Sequence, residues 1–132
     1  MNFIEAVKKG IELVPTQLRG RFTDDWLNVT AACVLGTAVI GQVGRDSNGN
    51  ITFPEHQLEV FFKEVQSKIN APCPEKCSIS DIQKRFAGFW DVLSDKDLSV
   101  KTMMVHLNDH HKWTREQIIE WFEPIADKRG WL

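Results

Sequence analysis

One stretch of the chain, residues 26–40, is apolar on nearly every side and rich in alanine, glycine and threonine. A helix that is apolar all round is stable only where other elements surround it, and small side chains let those elements come close. The stretch therefore predicts a central helix near residues 28–41. The rest of the chain must supply the elements that cover this helix.

The size and charge of the chain limit the classes of protein to which it can belong. With 132 residues, 42% hydrophobic and 26% charged, it matches one folded domain, so we expect a single helical domain over 1–132. Its 16 basic and 18 acidic side chains provide no overall attraction for nucleic acid. No apolar run reaches the ~20 residues of a membrane span, and the amino terminus lacks the order of an export signal. We expect a cytoplasmic protein without a membrane partner.

Further helices are predicted on both sides of the central one. Asn2 and Glu5 form a capping-box pattern and Gly10 is a stop signal, so a short helix should open the chain. After Pro54, apolar side chains repeat at helical spacing and predict an amphipathic helix. They are Leu58, Phe61, Phe62, Val65 and Ile69. The polar, glycine-containing segment before Pro54 predicts a turn, and a short β-hairpin near 42–53 is one way to form it.

The next segment predicts a loop followed by two helices. Residues 71–78 hold two prolines and two cysteines and should form the loop. Ser80 with Gln83 forms another capping-box pattern, after which apolar residues share one helical face. These residues are Ile82, Phe86, Phe89, Trp90 and Leu93. A further helix is expected over 97–110, with Val100, Met103, Met104 and Leu107 facing inward.

The last helix has the clearest start signal in the chain. Thr114 and Gln117 form a capping box, while Trp113 and Ile118 occupy the two hydrophobic-staple positions. Pro124 should end or kink this helix, because proline cannot donate a backbone hydrogen bond. Together these segments predict a mostly α fold, a compact single-domain bundle of five to six helices.

A sequence pattern overlaps the start of this helix. Residues 106–121 contain H-L-N-D-x-H-x-W-[ST]-R-E-x-I-x-x-W, which resembles a carboxy-terminal segment of small uncharacterised proteins of tailed phages and prophages. A weaker likeness to other bacterial and phage proteins covers residues 9–20 and 31–38. The resemblance implies a phage or mobile-element origin, and it carries over no catalytic residue.

The same pattern also favours a structural corner between two helices. Asn108 and Asp109 can hydrogen-bond local backbone at a helix end, and Trp113 can close the corner by packing on Ile118. This interpretation requires no ligand.

Cysteine and histidine spacing indicates a candidate metal site. Cys73 with Cys77, and His106 with His110, are the two halves of a Cys2His2 zinc tetrahedron. The halves are separated by residues 78–105, longer than the roughly 12–15 residues of a compact zinc finger, so tertiary packing would have to bring them together. His111 is an alternative to His110 as the fourth ligand. The competing interpretation has reduced thiols and histidines that only complete a helix corner.

No pattern in the sequence indicates an enzyme. Cys33 lies in the most apolar stretch, where burial raises a thiol's pKa and makes it unreactive, and phosphate-binding and hydrolase signatures are missing. The first hypothesis is therefore a non-enzymatic phage-type binding protein, acting on a protein partner or on its own copies through an exposed aromatic such as Trp131. The alternative is a zinc-stabilised module that touches nucleic acid. Glutamates in the last helix, at 116, 120 and 123, argue against contact with phosphates.

Overall fold

Helices make up most of the computed structural model, which describes residues 1–54, 58–86 and 98–132. In these ranges the α-helices are α1 (Phe3–Leu13), α2 (Val34–Val43), α3 (Leu58–Phe61), α4 (Ile79–Phe86), α5 (Val100–Val105) and α6 (Arg115–Lys128). A 3-10 helix (Lys63–Gln66) follows α3, and a π-helical segment (His106–His110) continues α5. Strands β1 (Thr16–Gln17) and β2 (Ala31–Ala32) form a short parallel pair. The predicted mostly α fold class is confirmed.

Helix α2 is the central helix, although it begins at Val34 rather than near residue 28. Its first eight residues, 34–41, are all buried, as expected for a helix that other elements surround. The preceding residues are extended because Ala31 and Ala32 pair with β1, and the carboxylate of Asp24 accepts hydrogen bonds from the backbone of Thr30 and Ala31. These partners lie outside the apolar run, so its composition alone could not place the helix start.

Helix α1 packs directly against α2. The capping box of Asn2 and Glu5 is confirmed, but Gly10 does not end the helix, which continues to Leu13. A Cβ atom at Gly10 would lie 2.0 Å from the carbonyl oxygen of Thr37 in α2. Glycine at position 10 therefore permits close helix packing instead of providing a stop.

The hairpin near 42–53 does not form, since no residue of that range is in a strand. The turn itself closes when the backbone N–H of Asp46 donates to the carbonyl of Asn50. Beyond it, Ile51 accepts a hydrogen bond from the N–H of Val29, and Phe53 donates to the carbonyl of Trp26. The segment after the turn thus pairs with the loop before α2 instead of forming the second strand of a hairpin.

The amphipathic helix predicted after Pro54 is also interrupted. The backbone at Phe62 leaves the helical region (φ −135°, ψ 86°), so α3 and the 3-10 helix are separate elements. Further on, Ile69 donates to the carbonyl of Leu98, and Val100 donates to that of Ser67. Phe62 and Ile69 are still buried, as predicted. The prediction of one regular helix through these residues was wrong.

The loop over 71–78 is confirmed, but the capping box after it is not. Helix α4 begins at Ile79, and the hydroxyl of Ser78, not of Ser80, accepts from the N–H of Asp81. Ile82 is buried as predicted. Phe89, Trp90 and Leu93 lie outside the described residues, as does the predicted start at residue 97; α5 begins at Val100 with Ser99 as its cap.

Helix α6 begins as predicted and ends later than predicted. The capping box of Thr114 and Gln117 is formed, but Pro124 does not end the helix. The end is set by Gly130, whose positive φ of 72° lets Trp131 donate to the carbonyl of Ala126.

The aromatic rings of α1, the segment after α3, and α6 meet in the core. Phe3 contacts Phe62 and Phe122 edge-on, with ring centroids 5.3 and 5.8 Å apart. These contacts connect the beginning, middle and end of the chain. Among the described residues, no helix is both long enough and apolar enough to cross a membrane.

Candidate metal centre

Four side chains from two remote segments meet at the end of α5. Cys73 and Cys77 come from the 71–78 loop, while His106 and His111 come from the π-helical segment and the residue after it. Their ligand atoms all lie within 4.8 Å of one another. Tertiary packing thus closes the 28-residue gap, 78–105, between the two halves of the site.

A tight turn brings the two cysteines together. The backbone N–H of Lys76 donates to the carbonyl of Cys73 at 2.9 Å, and Lys76 has a positive φ of 65°. The chain therefore reverses between the cysteines, and both thiols face the same cluster. The Cys73 side chain is buried and that of Cys77 is half-buried.

The π-helical segment selects the second histidine. The N–H of His111 donates to the carbonyl of His106 five residues earlier, at 3.3 Å. In a regular α-helix the ring nearest to His106 along the helix would be that of His110, four residues later, but this wider turn brings the ring of His111 close as well, with centroids 4.6 Å apart. The geometry therefore brings His111, not His110, into the cluster. The rings of His110 and His106 stack with their centroids 5.1 Å apart, and His110 is exposed.

Two of the distances between ligand atoms match those around a tetrahedral zinc ion. Zinc, with bonds of about 2.3 Å to sulfur and about 2.0–2.1 Å to nitrogen, sets its ligand atoms about 3.3–3.8 Å apart. Nε2 of His111 lies 3.3 Å from Sγ of Cys77 and 3.6 Å from Sγ of Cys73. Two thiolates would also neutralise the charge of one Zn²⁺. Four protein ligands leave no open position for substrate, which is the arrangement of structural sites.

A hydrogen bond outside the cluster fastens the loop to the helix corner. Nε1 of Trp113 donates to a carboxylate oxygen of Glu75 at 3.1 Å. Glu75 lies between the two cysteines, and Trp113 follows His111 by two residues. The two halves of the site are therefore held together by a second contact beside the candidate ligands.

Asn108 and Asp109 form the predicted corner, but mainly through long-range partners rather than local backbone. The Asn108 side chain accepts from the N–H of Val34 at 3.2 Å and donates to the carbonyl of Leu18 at 3.0 Å. Asp109 accepts from the N–H of Gly20 at 3.0 Å. These bonds orient the π-helical segment against β1 and the start of α2, and so position the histidines.

Gln17 is a positioning residue that the sequence did not indicate. Its amide nitrogen donates to the Asn108 side chain and to the carbonyl of Trp113, each at 2.8 Å. Its amide oxygen accepts from the N–H of Arg115 at 3.2 Å. Because these partners lie more than 90 residues away, no local pattern could have identified the residue.

None of the other predicted residues belongs to the cluster, although Trp113 lies beside it. Cys33 caps α2, and burial raises the pKa of its thiol to about 12, which leaves it protonated and unreactive. Ile118 is buried, and Trp113 packs partly against the core. Trp131 is also partly buried, with its ring centroid 6.0 Å from that of Phe122. Within the described part of the chain, the exposed tryptophan is instead Trp26, at 50% exposure.

Comparison of the chain with protein-family models, with curated proteins and with solved structures finds no match.

Proposed function

We propose that the protein is a non-enzymatic interaction module whose fold is stabilised by one structural zinc ion. The ligands are Cys73, Cys77, His106 and His111. The observation that carries this proposal is the convergence of these four ligand atoms within 4.8 Å. Two thiols and two imidazoles are the donors that zinc prefers in structural sites.

The position of the site supports a stabilising role. One pair of ligands lies in a loop without regular structure, and the other lies in and just after the π-helical segment. The ion would add a link between these two segments beside the hydrogen bond from Trp113 to Glu75. Because an unfolded chain has no preformed site, the free energy of zinc binding becomes free energy of folding.

Metal analysis of untagged protein tests the proposal. The wild type should carry about one equivalent of zinc after dialysis, as expected of a site with four protein ligands. His111→Ala should lose most of this zinc, whereas His110→Ala, its neighbour outside the cluster, should keep it. Wild-type protein that holds no zinc, or equal loss in both variants, would contradict the proposed ligand set.

A second candidate function, protein binding, is favoured by the loop before β2. Trp26 is 50% exposed and Leu27 is 77% exposed, and the Trp26 ring lies beside that of Phe53 at 5.8 Å. Exposed tryptophan is enriched at protein interfaces. We propose self-association through this loop; light scattering should then give a dimer for the wild type and a monomer for Trp26→Ser. A monomeric wild type at high concentration would exclude it.

The origin and location of the protein complete the proposal. The likeness at residues 106–121 suggests a phage or mobile-element source, which the neighbouring genes would test. A reducing cytoplasm suits thiolate ligands, because it keeps them from pairing. Contact with nucleic acid is not favoured, since Glu116, Glu120 and Glu123 are all exposed on α6.

A further inference from the structure

The two candidate thiolate ligands differ in their access to solvent. Cys73 is only 4% exposed, whereas Cys77 is half-buried at the edge of the site. Of the two cysteines, Cys77 is therefore the more open to a small oxidant. The sulfur of Cys73 lies within 4.8 Å of it, across the tight turn closed by Lys76.

This arrangement places an accessible thiolate beside a second one that can react with it. We propose that the zinc site is also a redox switch, in which a peroxide oxidises Cys73 and Cys77 to a disulfide and releases the ion. The inference rests on the proposed zinc site. The inference adds regulation to that site, because the two sulfurs that bind the ion can instead form a disulfide and then no longer coordinate it.

The reaction balances with one peroxide as the oxidant. The Cys77 thiolate attacks a peroxide oxygen, so that an S–O bond forms, the O–O bond breaks and one water leaves after protonation. The Cys73 thiolate then attacks the Cys77 sulfur, an S–S bond forms, and the oxygen departs as a second water. Two electrons pass from the thiolates to the peroxide, two protons come from solvent, and Zn²⁺ is set free.

Loss of the ion would loosen a defined part of the fold. His106 and His111 alone offer two ligands, which is half of the set that zinc prefers. The 71–78 loop would then be joined to the corner chiefly by the bond from Trp113 to Glu75. Amide hydrogen exchange should accordingly rise at residues 71–78 and 106–111, while the α1–α2 pair stays protected.

The test is peroxide treatment of zinc-loaded protein carrying Cys33→Ser. This control removes the third thiol while keeping a hydroxyl that can cap α2. Zinc release is followed with a chromogenic chelator, and the disulfide is located by mass spectrometry of peptides. We expect about one zinc released for each Cys73–Cys77 disulfide, and recovery of zinc binding after reduction, as in reversible thiol–disulfide exchange.

A matched variant separates oxidation from simple damage. Cys77→Asp retains an anionic ligand but cannot form the disulfide, so its zinc should leave at least about tenfold more slowly under peroxide than that of Cys33→Ser. If the loaded protein keeps its zinc under peroxide, or forms only irreversible sulfinic acid, the switch is wrong and the zinc site stands. If no zinc is bound before peroxide is added, the proposed function fails and the switch fails with it.

Discussion

A buried guanidinium joins three parts of the chain. Arg115, the first residue of α6, is only 2% exposed and donates to the carbonyls of Val14 and Pro15 and to the hydroxyl of Thr37. Among the described residues these partners are neutral, and burial lowers the pKa of the guanidinium. The planar group is needed because one side chain must satisfy several fixed acceptors at once.

Replacement of this residue by lysine should therefore be costly. An ammonium cannot reproduce the forked geometry, so Arg115→Lys leaves a buried acceptor unmet and should lower the free energy of unfolding by about 1–3 kcal/mol. Arg19→Lys is the control, since Arg19 is exposed and donates to the carbonyl of Lys112. Its effect should stay within about 0.5 kcal/mol. Equal urea-denaturation midpoints for the two variants would contradict this role.

Asp24 makes folding stability depend on pH. A hydrogen bond from the Thr30 hydroxyl, helped by backbone N–H groups of Thr30 and Ala31, lowers the pKa of Asp24 from 3.8 to about 2. A carboxyl whose folded pKa is depressed contributes stability above its unfolded pKa and loses it as the pH falls through the folded value. The contribution is therefore complete above pH about 4 and disappears toward pH about 2.

The variant Asp24→Asn isolates this contribution. At pH 7 its free energy of unfolding should be about 1 kcal/mol lower than that of the wild type. This figure is already reduced for the screening of this charge by solvent. The difference should shrink between pH about 4 and about 2, because the carboxyl of the unfolded chain is protonated near pH 3.8 and that of the folded protein only near pH 2. Thr30→Val, which removes the hydroxyl donor, should reproduce part of the loss. A gap between wild type and Asp24→Asn that is as large at pH 2 as at pH 7 would refute the assignment.

At the scale of elements, the α1–α2 contact depends on the missing side chain of Gly10. Glycine in a helix interior is normally replaced by alanine with a gain of roughly 0.8–1.0 kcal/mol. Here the added Cβ would meet the Thr37 carbonyl at 2.0 Å, and backbone of α2 cannot yield as a flexible side chain would. The ordinary preference for alanine should therefore be reversed.

Thermal and urea denaturation of Gly10→Ala should show this reversal. We expect a loss of about 2 kcal/mol or more in the free energy of unfolding, in line with overpacked cores. Lys9→Ala, at the preceding exposed position of α1, should change stability by no more than about 0.5 kcal/mol. A Gly10→Ala variant as stable as the wild type would show that α1 and α2 are not in such close contact.

The elements that the sequence predicted are those whose signals are local. The capping boxes at Asn2 and Thr114 depend on residues three positions apart, and both were found as predicted. The start of α2 was missed because partners outside the apolar run hold the residues before it, and the choice between His110 and His111 stayed open because it depends on one extra residue in a π-helical turn. Spacing rules assume a regular helix, so they could identify the candidate ligands but could not set their register.

At the scale of the whole molecule, contacts outside the four candidate ligands position both halves of the candidate site. The π-helical segment is oriented by Asn108 against the start of α2 and by Asp109 against the chain after β1. The loop with the cysteines is fastened separately through Glu75. Because the fold positions both halves, the ion should add stability to a chain that already has a core, and the added stability should follow the free zinc concentration.

This dependence has a definite slope. For one site that exists only in the folded state, the free energy of unfolding rises by about 1.4 kcal/mol for each tenfold increase in free zinc above the dissociation constant. Urea denaturation in metal-buffered solutions should give this slope for the wild type and for His110→Ala, and a nearly flat line for Cys73→Ser. The flat line should still correspond to a folded protein, since the hydrophobic core extends from Phe3 to Ala126 and most of its residues are not candidate ligands. Equal slopes in all three proteins would mean that zinc stabilises the chain somewhere else, and a Cys73→Ser variant that is unfolded without denaturant would mean that the core cannot hold the fold alone.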